Sequence, residues 1–224
     1  MTRSTRIGVV SGLIAGALVL IVIAVFVIRA YVPSAPTAAT AASSSPTGAV
    51  TPTRVLGPPG KGSVTVVEFL DFECEACAAF YPYVEDLRKK YEGDVTFGFR
   101  YFPLPGHGNS RTAAAAVEAA AQQNKVEGMY QRMYETQKEW GERGTDSQAE
   151  RFRGYAKDLG LNMSRYDRDV TSKTVLERIQ RDVNLGTTLG VNSTPTFFIN
   201  GEVVPLQAYA DLQSAVDAAV QESR

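Results

Sequence analysis

The stretch Glu68-Phe69-Leu70-Asp71-Phe72-Glu73-Cys74-Glu75-Ala76-Cys77-Ala78-Ala79-Phe80-Tyr81 holds both cysteines of the chain, three positions apart. Just upstream, Ser63-Val64-Thr65-Val66-Val67-Glu68-Phe69-Leu70 is a β-branched and aromatic run bounded by Gly60 and Gly62, which predicts a buried strand. Downstream, Ala76, Ala79, Phe80, Tyr83, Val84, Leu87 and Tyr91 recur at helical spacing with charged residues between them, which predicts an amphipathic helix. Cys74 therefore falls where a strand ends and a helix begins. The unpaired N–H groups and positive dipole end of a first helical turn stabilise a thiolate at such a position. Cys77, one turn later, lies beneath it and can close a small disulfide ring.

Three readings of the pair compete. A zinc half-site needs two more ligands, and the chain has no third cysteine and a single histidine, His107. A structural disulfide across so few residues removes little loop entropy. Reversible dithiol–disulfide exchange is the reading the pair supports, and it needs no metal or other cofactor. His107 sits in the glycine loop Pro105-Gly106-His107-Gly108-Asn109 without a visible orienting partner. It reads as a turn or pre-helix residue rather than a catalytic one.

With 224 residues, 44% of them hydrophobic, and a formal charge of -1, the chain holds one medium domain with a proper core plus extra segments. No domain-wide basic patch is visible, so neither nucleic acid nor an acidic ligand is indicated. Residues 1–6 read as a short cytoplasmic tail. The uncharged run Ile7 to Ile28 is long enough as a helix to cross about 30 Å of hydrocarbon and reads as a transmembrane signal-anchor. Arg3 and Arg6 precede it and only Arg29 follows until Arg54, so the positive-inside rule puts the N-terminus in the cytoplasm and the bulk of the chain outside. A cleaved secretory signal ending near Ala39-Thr40-Ala41 is the alternative, for which the apolar run is long and the site distant. Residues 29–61, rich in Pro, Ala, Ser and Thr, read as a disordered tether.

The globular part is expected over residues 62–222. After the cysteine helix, Val95 to Phe102 is an alternating aromatic strand, completing a βαβ unit. A helical block follows at about 108–189. Its expected helices are Arg111 to Gln123 with Ser110 as N-cap, Val126 to Trp140, about Ser147 to Leu159, and Lys173 to Leu189. Two short strands around Asn200-Gly201 give a type I′ hairpin signal, Pro195 stands at the entrance to the first of them, and a last amphipathic helix runs from about Gln207 to Glu222.

Phe72-Glu73-Cys74-Glu75-Ala76-Cys77 after a strand, the helical insertion, and Ser193-Thr194-Pro195-Thr196-Phe197 with Asn200-Gly201 together resemble the thioredoxin superfamily, and the insertion resembles its DsbA-like thiol:disulfide oxidoreductases. The resemblance implies an α/β thioredoxin-like fold in which Cys74 is the exposed nucleophile and Cys77 the resolving thiol. It also implies a cis-Pro195 facing the disulfide, with Thr194 and Ser193 beside it for binding extended substrate. Glu68, six positions before Cys74, occupies the place of the buried acid that moves protons at the resolving thiol; read from the residues alone, an acid in an apolar strand can also point to solvent. The implied partners are extracytoplasmic client proteins with thiols or disulfides and a membrane quinone-linked thiol oxidase that reoxidises the pair. Glu75-Ala76 replaces the Pro-His of strongly oxidising members, which is expected to disfavour the Cys74 thiolate. Thr194 replaces their valine, a feature more like the isomerases. Oxidation of clients leads, reduction or isomerisation is the competing direction, and a non-catalytic peptide-binding factor is the alternative of another class.

Overall fold

The run read as a buried strand forms β2 (Thr65–Leu70), the middle strand of a five-stranded sheet. It pairs in parallel with β3 (Thr96–Tyr101) on one side and antiparallel with β4 (Thr196–Ile199) on the other. The edges are β1 (Arg54–Val55), antiparallel to β3, and β5 (Glu202–Val204), antiparallel to β4. Helix α1 (Glu75–Lys90) connects β2 to β3. Between β3 and β4 come α2 (Ser110–Ala121), α3 (Val126–Glu135), α4 (Gln137–Trp140), α5 (Ala149–Asp158), α6 (Met163–Asp169) and α7 (Lys173–Thr188), and α8 (Tyr209–Glu222) ends the fold. These elements come from a computed structural model that describes residues 50–141, 144 and 146–224.

Side chains alternate along β2, so its two faces build two cores. On one face Val66 packs with Phe97 and Phe197 under Val84 and Leu87 of α1 and Leu212 and Val216 of α8. Val67 and Phe69 point the other way and pack with Phe102, Phe198 and Val191 against Val183 and Leu185 of α7. Gly186 permits that approach, since a Cβ there would come within 2.7 Å of the Phe102 ring. The insertion makes a third core around α2, whose Ala113, Ala116 and Ala120 are fully buried among Met129, Tyr130, Trp140 and Phe152. Small alanines let the neighbouring helices come close. This core continues to Phe72 and Cys77.

Several expectations are corrected. The tether was expected to run to residue 61, but Val50 and Leu56 are buried and Arg54–Val55 is a strand, so the fold includes at least residues 50–61. Glu118 of α2, fully buried, holds that edge: its carboxylate takes the Arg54 guanidinium in a two-pronged pair, the Tyr101 hydroxyl at 2.9 Å and Arg178 at 3.0 Å. Ser110 lies inside α2, and Asn109 precedes it with its side chain committed elsewhere, accepting from the Gln148 N–H at 2.9 Å. The expected helix from Val126 to Trp140 is broken at Thr136, whose hydroxyl donates to the Arg132 carbonyl at 2.6 Å. Helix α6, absent from the expectation, is started by Asn162, whose side chain accepts from the Arg165 N–H at 2.9 Å. The hairpin has its expected turn, with φ of 52° at Asn200 and 91° at Gly201. The span at 7–28 and the rest of the tether lie outside the described residues. Among the described residues no helix is long and apolar enough to cross a membrane.

Candidate active site

Strand β2 hands over to α1 through Asp71-Phe72-Glu73-Cys74, and this turn is fixed from three sides. Asp71, 1% exposed, accepts the Glu73 N–H on one carboxylate oxygen at 2.9 Å and the Leu104 N–H on the other at 2.9 Å. Its backbone carbonyl accepts the Cys74 N–H at 3.2 Å. Glu73, also buried, accepts the Asn109 N–H at 2.6 Å. From α4, the buried Gln137 side-chain amide donates to the Phe72 carbonyl at 3.0 Å and to the Cys74 carbonyl at 2.8 Å. Cys74 is thereby set as the N-cap residue of α1, with φ -71° and ψ 122°.

Both cysteines are free thiols in this structure. The Cys74 thiol is lowered from 9.0 to about 6, first by a hydrogen bond from the Cys77 thiol, against burial, and then by the Thr194 side chain and the Cys77 and Ala76 N–H groups. Cys77 is pushed the other way, well above its ordinary value, first by burial and then by its hydrogen bond to Cys74 and the charges of Glu68 and Cys74. Cys74 is lowered overall although Glu75 stands next to it in sequence. Glu75 is exposed, where water screens its charge, while the donors that favour the thiolate are at hydrogen-bond range.

Opposite Cys74 stands the loop before β4. The Thr194–Pro195 peptide bond is cis, and the Cys74 thiol donates to the Thr194 carbonyl at 3.4 Å. The Thr194 hydroxyl is buried, and the Cys74 sulfur is the group it supports. Ser193 is exposed, and its carbonyl is taken by the Thr196 hydroxyl at 2.8 Å. Glu68 does not point to solvent: it is 5% exposed, between Phe99 and Phe197 in the neighbouring strands, on the same face of β2 as Val66. Burial, then the charge of Cys74, raises its carboxyl well above the usual range. Cys74, Cys77, Glu68, Thr194 and Pro195 therefore converge, and Ser193 lies at their margin.

His107 is also corrected. It does have an orienting partner, since its Nδ1 lies 2.7 Å from an Asp71 carboxylate oxygen. Gln137, Asp71 and Glu73 were missed as well. The acids at 71 and 73 flank the cysteines in sequence and carried a signal; Gln137 carried none, because its partners are backbone carbonyls of a distant segment. Among the described residues no group of three or more His, Cys, Asp or Glu side chains is placed to hold a metal ion.

The sequence profile of the Thioredoxin family matches residues 50–218. A thioredoxin-like oxidoreductase from Silicibacter pomeroyi DSS-3 is 32% identical with a TM-score of 0.61, over 75% of this chain and 92% of that one. BdbD from Bacillus subtilis, in its oxidised form, is 22% identical with a TM-score of 0.63 over 75% and 92% of the two chains, and shares the fold. Wolbachia pipientis alpha-DsbA1 shares it too, at 19% identity, a TM-score of 0.63 and 75% and 91% coverage. Among curated proteins, the Na(+)/H(+) antiporter NhaA of Herminiimonas arsenicoxydans is 33% identical over 147 residues, 64% of this chain and 22% of the antiporter. NhaA 1 of Mycobacterium sp. strain KMS is 33% identical over 144 residues and is likewise matched over 22% of its length. The chain thus spans about a fifth of the length of the curated relatives it matches. The profile match across most of the chain, the Silicibacter relative and the Cys74–Cys77 site facing a cis-proline loop place this chain in the thioredoxin superfamily.

Proposed function

We propose that this chain is a membrane-anchored, extracytoplasmic oxidase of cysteine pairs in secreted proteins. The observation that carries this reading is the placement of Cys74 at the start of α1, one turn before the buried Cys77 and 3.4 Å from the Thr194 carbonyl beside cis-Pro195, surroundings that lower the Cys74 thiol to about 6 and raise that of Cys77. A stabilised thiolate favours the reduced form of the pair, which makes its disulfide a stronger oxidant and Cys74 a good leaving group. In the cycle, a client thiolate attacks Cys74 Sγ of the disulfide, expelling Cys77 Sγ and forming a mixed disulfide. A second client thiolate then attacks the client sulfur and expels the Cys74 thiolate. Glu68, kept protonated by burial, supplies a proton for the leaving Cys77 sulfur. The Thr194 backbone beside cis-Pro195, with Ser193 at the rim, holds the client in extended form. Anchoring through residues 7–28 keeps the domain at the outer face of the membrane, where a quinone-linked thiol oxidase regenerates the disulfide.

The test is the reduction potential of the pair, read by equilibrating the protein against glutathione buffers. An oxidase gives a value well above that of thioredoxin, toward about -120 mV. A value near about -270 mV assigns the site to reduction of client disulfides instead. Full cellular function in a Cys74→Ser variant would assign the chain to peptide binding without exchange.

A further inference from the structure

His107 is the single histidine of the chain, and the exchange steps above do not use it. Its side chain is 23% exposed, with Nδ1 at 2.7 Å from Asp71 Oδ2. Asp71 in turn accepts the Cys74 N–H at 3.2 Å on its backbone carbonyl and the Glu73 N–H at 2.9 Å on Oδ1. One buried residue thus hydrogen-bonds both the imidazole and the backbone of the nucleophile. The Leu104 N–H, bound to the same Oδ2 at 2.9 Å, fixes the loop that carries the ring. The titratable groups that face His107 are Asp71, Glu73 and Cys74, all from the segment between β2 and α1. Asp71 acts on the ring in both redox states, and the Glu73 carboxylate is committed to the Asn109 N–H at 2.6 Å. Only Cys74 changes charge when the pair opens and closes.

We propose that His107 is a redox-linked proton site, binding its proton more tightly when Cys74 is a thiolate than when Cys74 is held in the disulfide. The inference rests on the proposed function only in that the pair must open and close. When a client dithiol reduces the site, the Cys74–Cys77 bond breaks, a sulfur–sulfur bond forms in the client, and two electrons pass to the pair. Of the two client protons, one ends on Cys77. The other, which the Cys74 thiolate does not keep, is released to water, except for the fraction that His107 takes up as its midpoint rises. By linkage, the imidazolium stabilises the thiolate by the same free energy with which the thiolate holds the proton. Burial works against a charged ring, yet Asp71 and then Cys74 outweigh it and hold His107 above 6.5. Above that raised value the ring loses its proton, and the thiolate loses this support.

Because the chain has one histidine, its ring gives one set of resonances, and its titration can be followed by NMR in the full-length protein in detergent micelles. The midpoint is expected to be higher in the dithiol form than in the disulfide form by on the order of half a pH unit or more. In Cys74→Ser it is expected at the disulfide-form value, and His107→Gln is expected to raise the Cys74 thiolate midpoint. Coincident midpoints in the two redox forms overturn the proposal, as does a Cys74→Ser midpoint that stays at the dithiol value. Mass analysis confirms that the disulfide has formed. The comparison is independent of the direction in which clients are converted, so failure of the oxidase reading leaves it standing.

Discussion

Cys74 and Cys77 stand one helical turn apart and titrate in opposite directions because their neighbours differ in kind. Cys74 receives donors, and Cys77 receives burial and negative charge. Glu68 is the third member of this arrangement, with a carboxyl that burial raises above 4.5. The folded state therefore keeps a proton that the unfolded chain releases above that pH. Its contribution to stability is complete below 4.5 and is lost as pH rises through the folded value. Glu68→Gln keeps the shape and has no charge to bury. With both proteins in the disulfide form, the denaturant midpoint of the parent should fall relative to that of the variant between pH 4.5 and 8, and expulsion of Cys77 from the Cys74–Cys77 disulfide by a client thiolate should slow by roughly tenfold or more. Paired unfolding curves and single-turnover kinetics check the two parts. A variant that follows the parent at both pH values shows that Glu68 is not a buried neutral acid.

The elements that hold the site were legible to different degrees. β2, α1, β3, the Asn200-Gly201 hairpin and α8 followed from period-2 and period-3.6 patterns and from turn chemistry, and these carry both cysteines and Glu68. Edge strand β1 was hidden because two residues among Pro52, Gly57, Pro58 and Pro59 show no alternation, and its anchor is the distant Glu118. The break at Thr136 was hidden in an unbroken helical pattern, yet it is what turns Gln137 toward the Cys74 carbonyl. Gln137→Ala removes both donations to the cysteine turn and leaves buried carbonyls with one partner fewer. It should cost about 1–3 kcal/mol in chemical denaturation and raise the Cys74 thiolate midpoint as the turn loosens. A loss of stability without any change in that midpoint would mean that Gln137 supports the insertion alone. Glu118→Ala strands the Arg54 and Arg178 guanidinium groups and should cost about 3–5 kcal/mol, with the Cys74 midpoint unchanged.

For the whole molecule, the redox state and the folding equilibrium are linked through Cys74. Its folded value, about 6, lies below 9.0, so the reduced protein gains stability as pH rises from about 6 to 9 and loses it as pH falls back through 6. The disulfide form has no thiolate and lacks this gain. The thermal midpoint of the reduced form, measured relative to that of the disulfide form, should therefore climb between pH 5.5 and 8.5. Scanning calorimetry of both forms across that range reads the difference directly. Raised values at Glu68 and Cys77 do not mimic it: Glu68 is buried in both forms and acts with the opposite sign, and Cys77 acts above 9.0.

The central claim is that the fold makes Cys74 a stable thiolate at the start of α1. The most direct test is to titrate the reduced protein by thiolate absorbance, with pH-dependent alkylation to assign the signal to Cys74. A midpoint of about 6 at Cys74, with Cys77 untitrated through 9.0, is the predicted result. A Cys74 midpoint near 9.0 would contradict the account, because the donors gathered around that sulfur would then confer no advantage on its charged form.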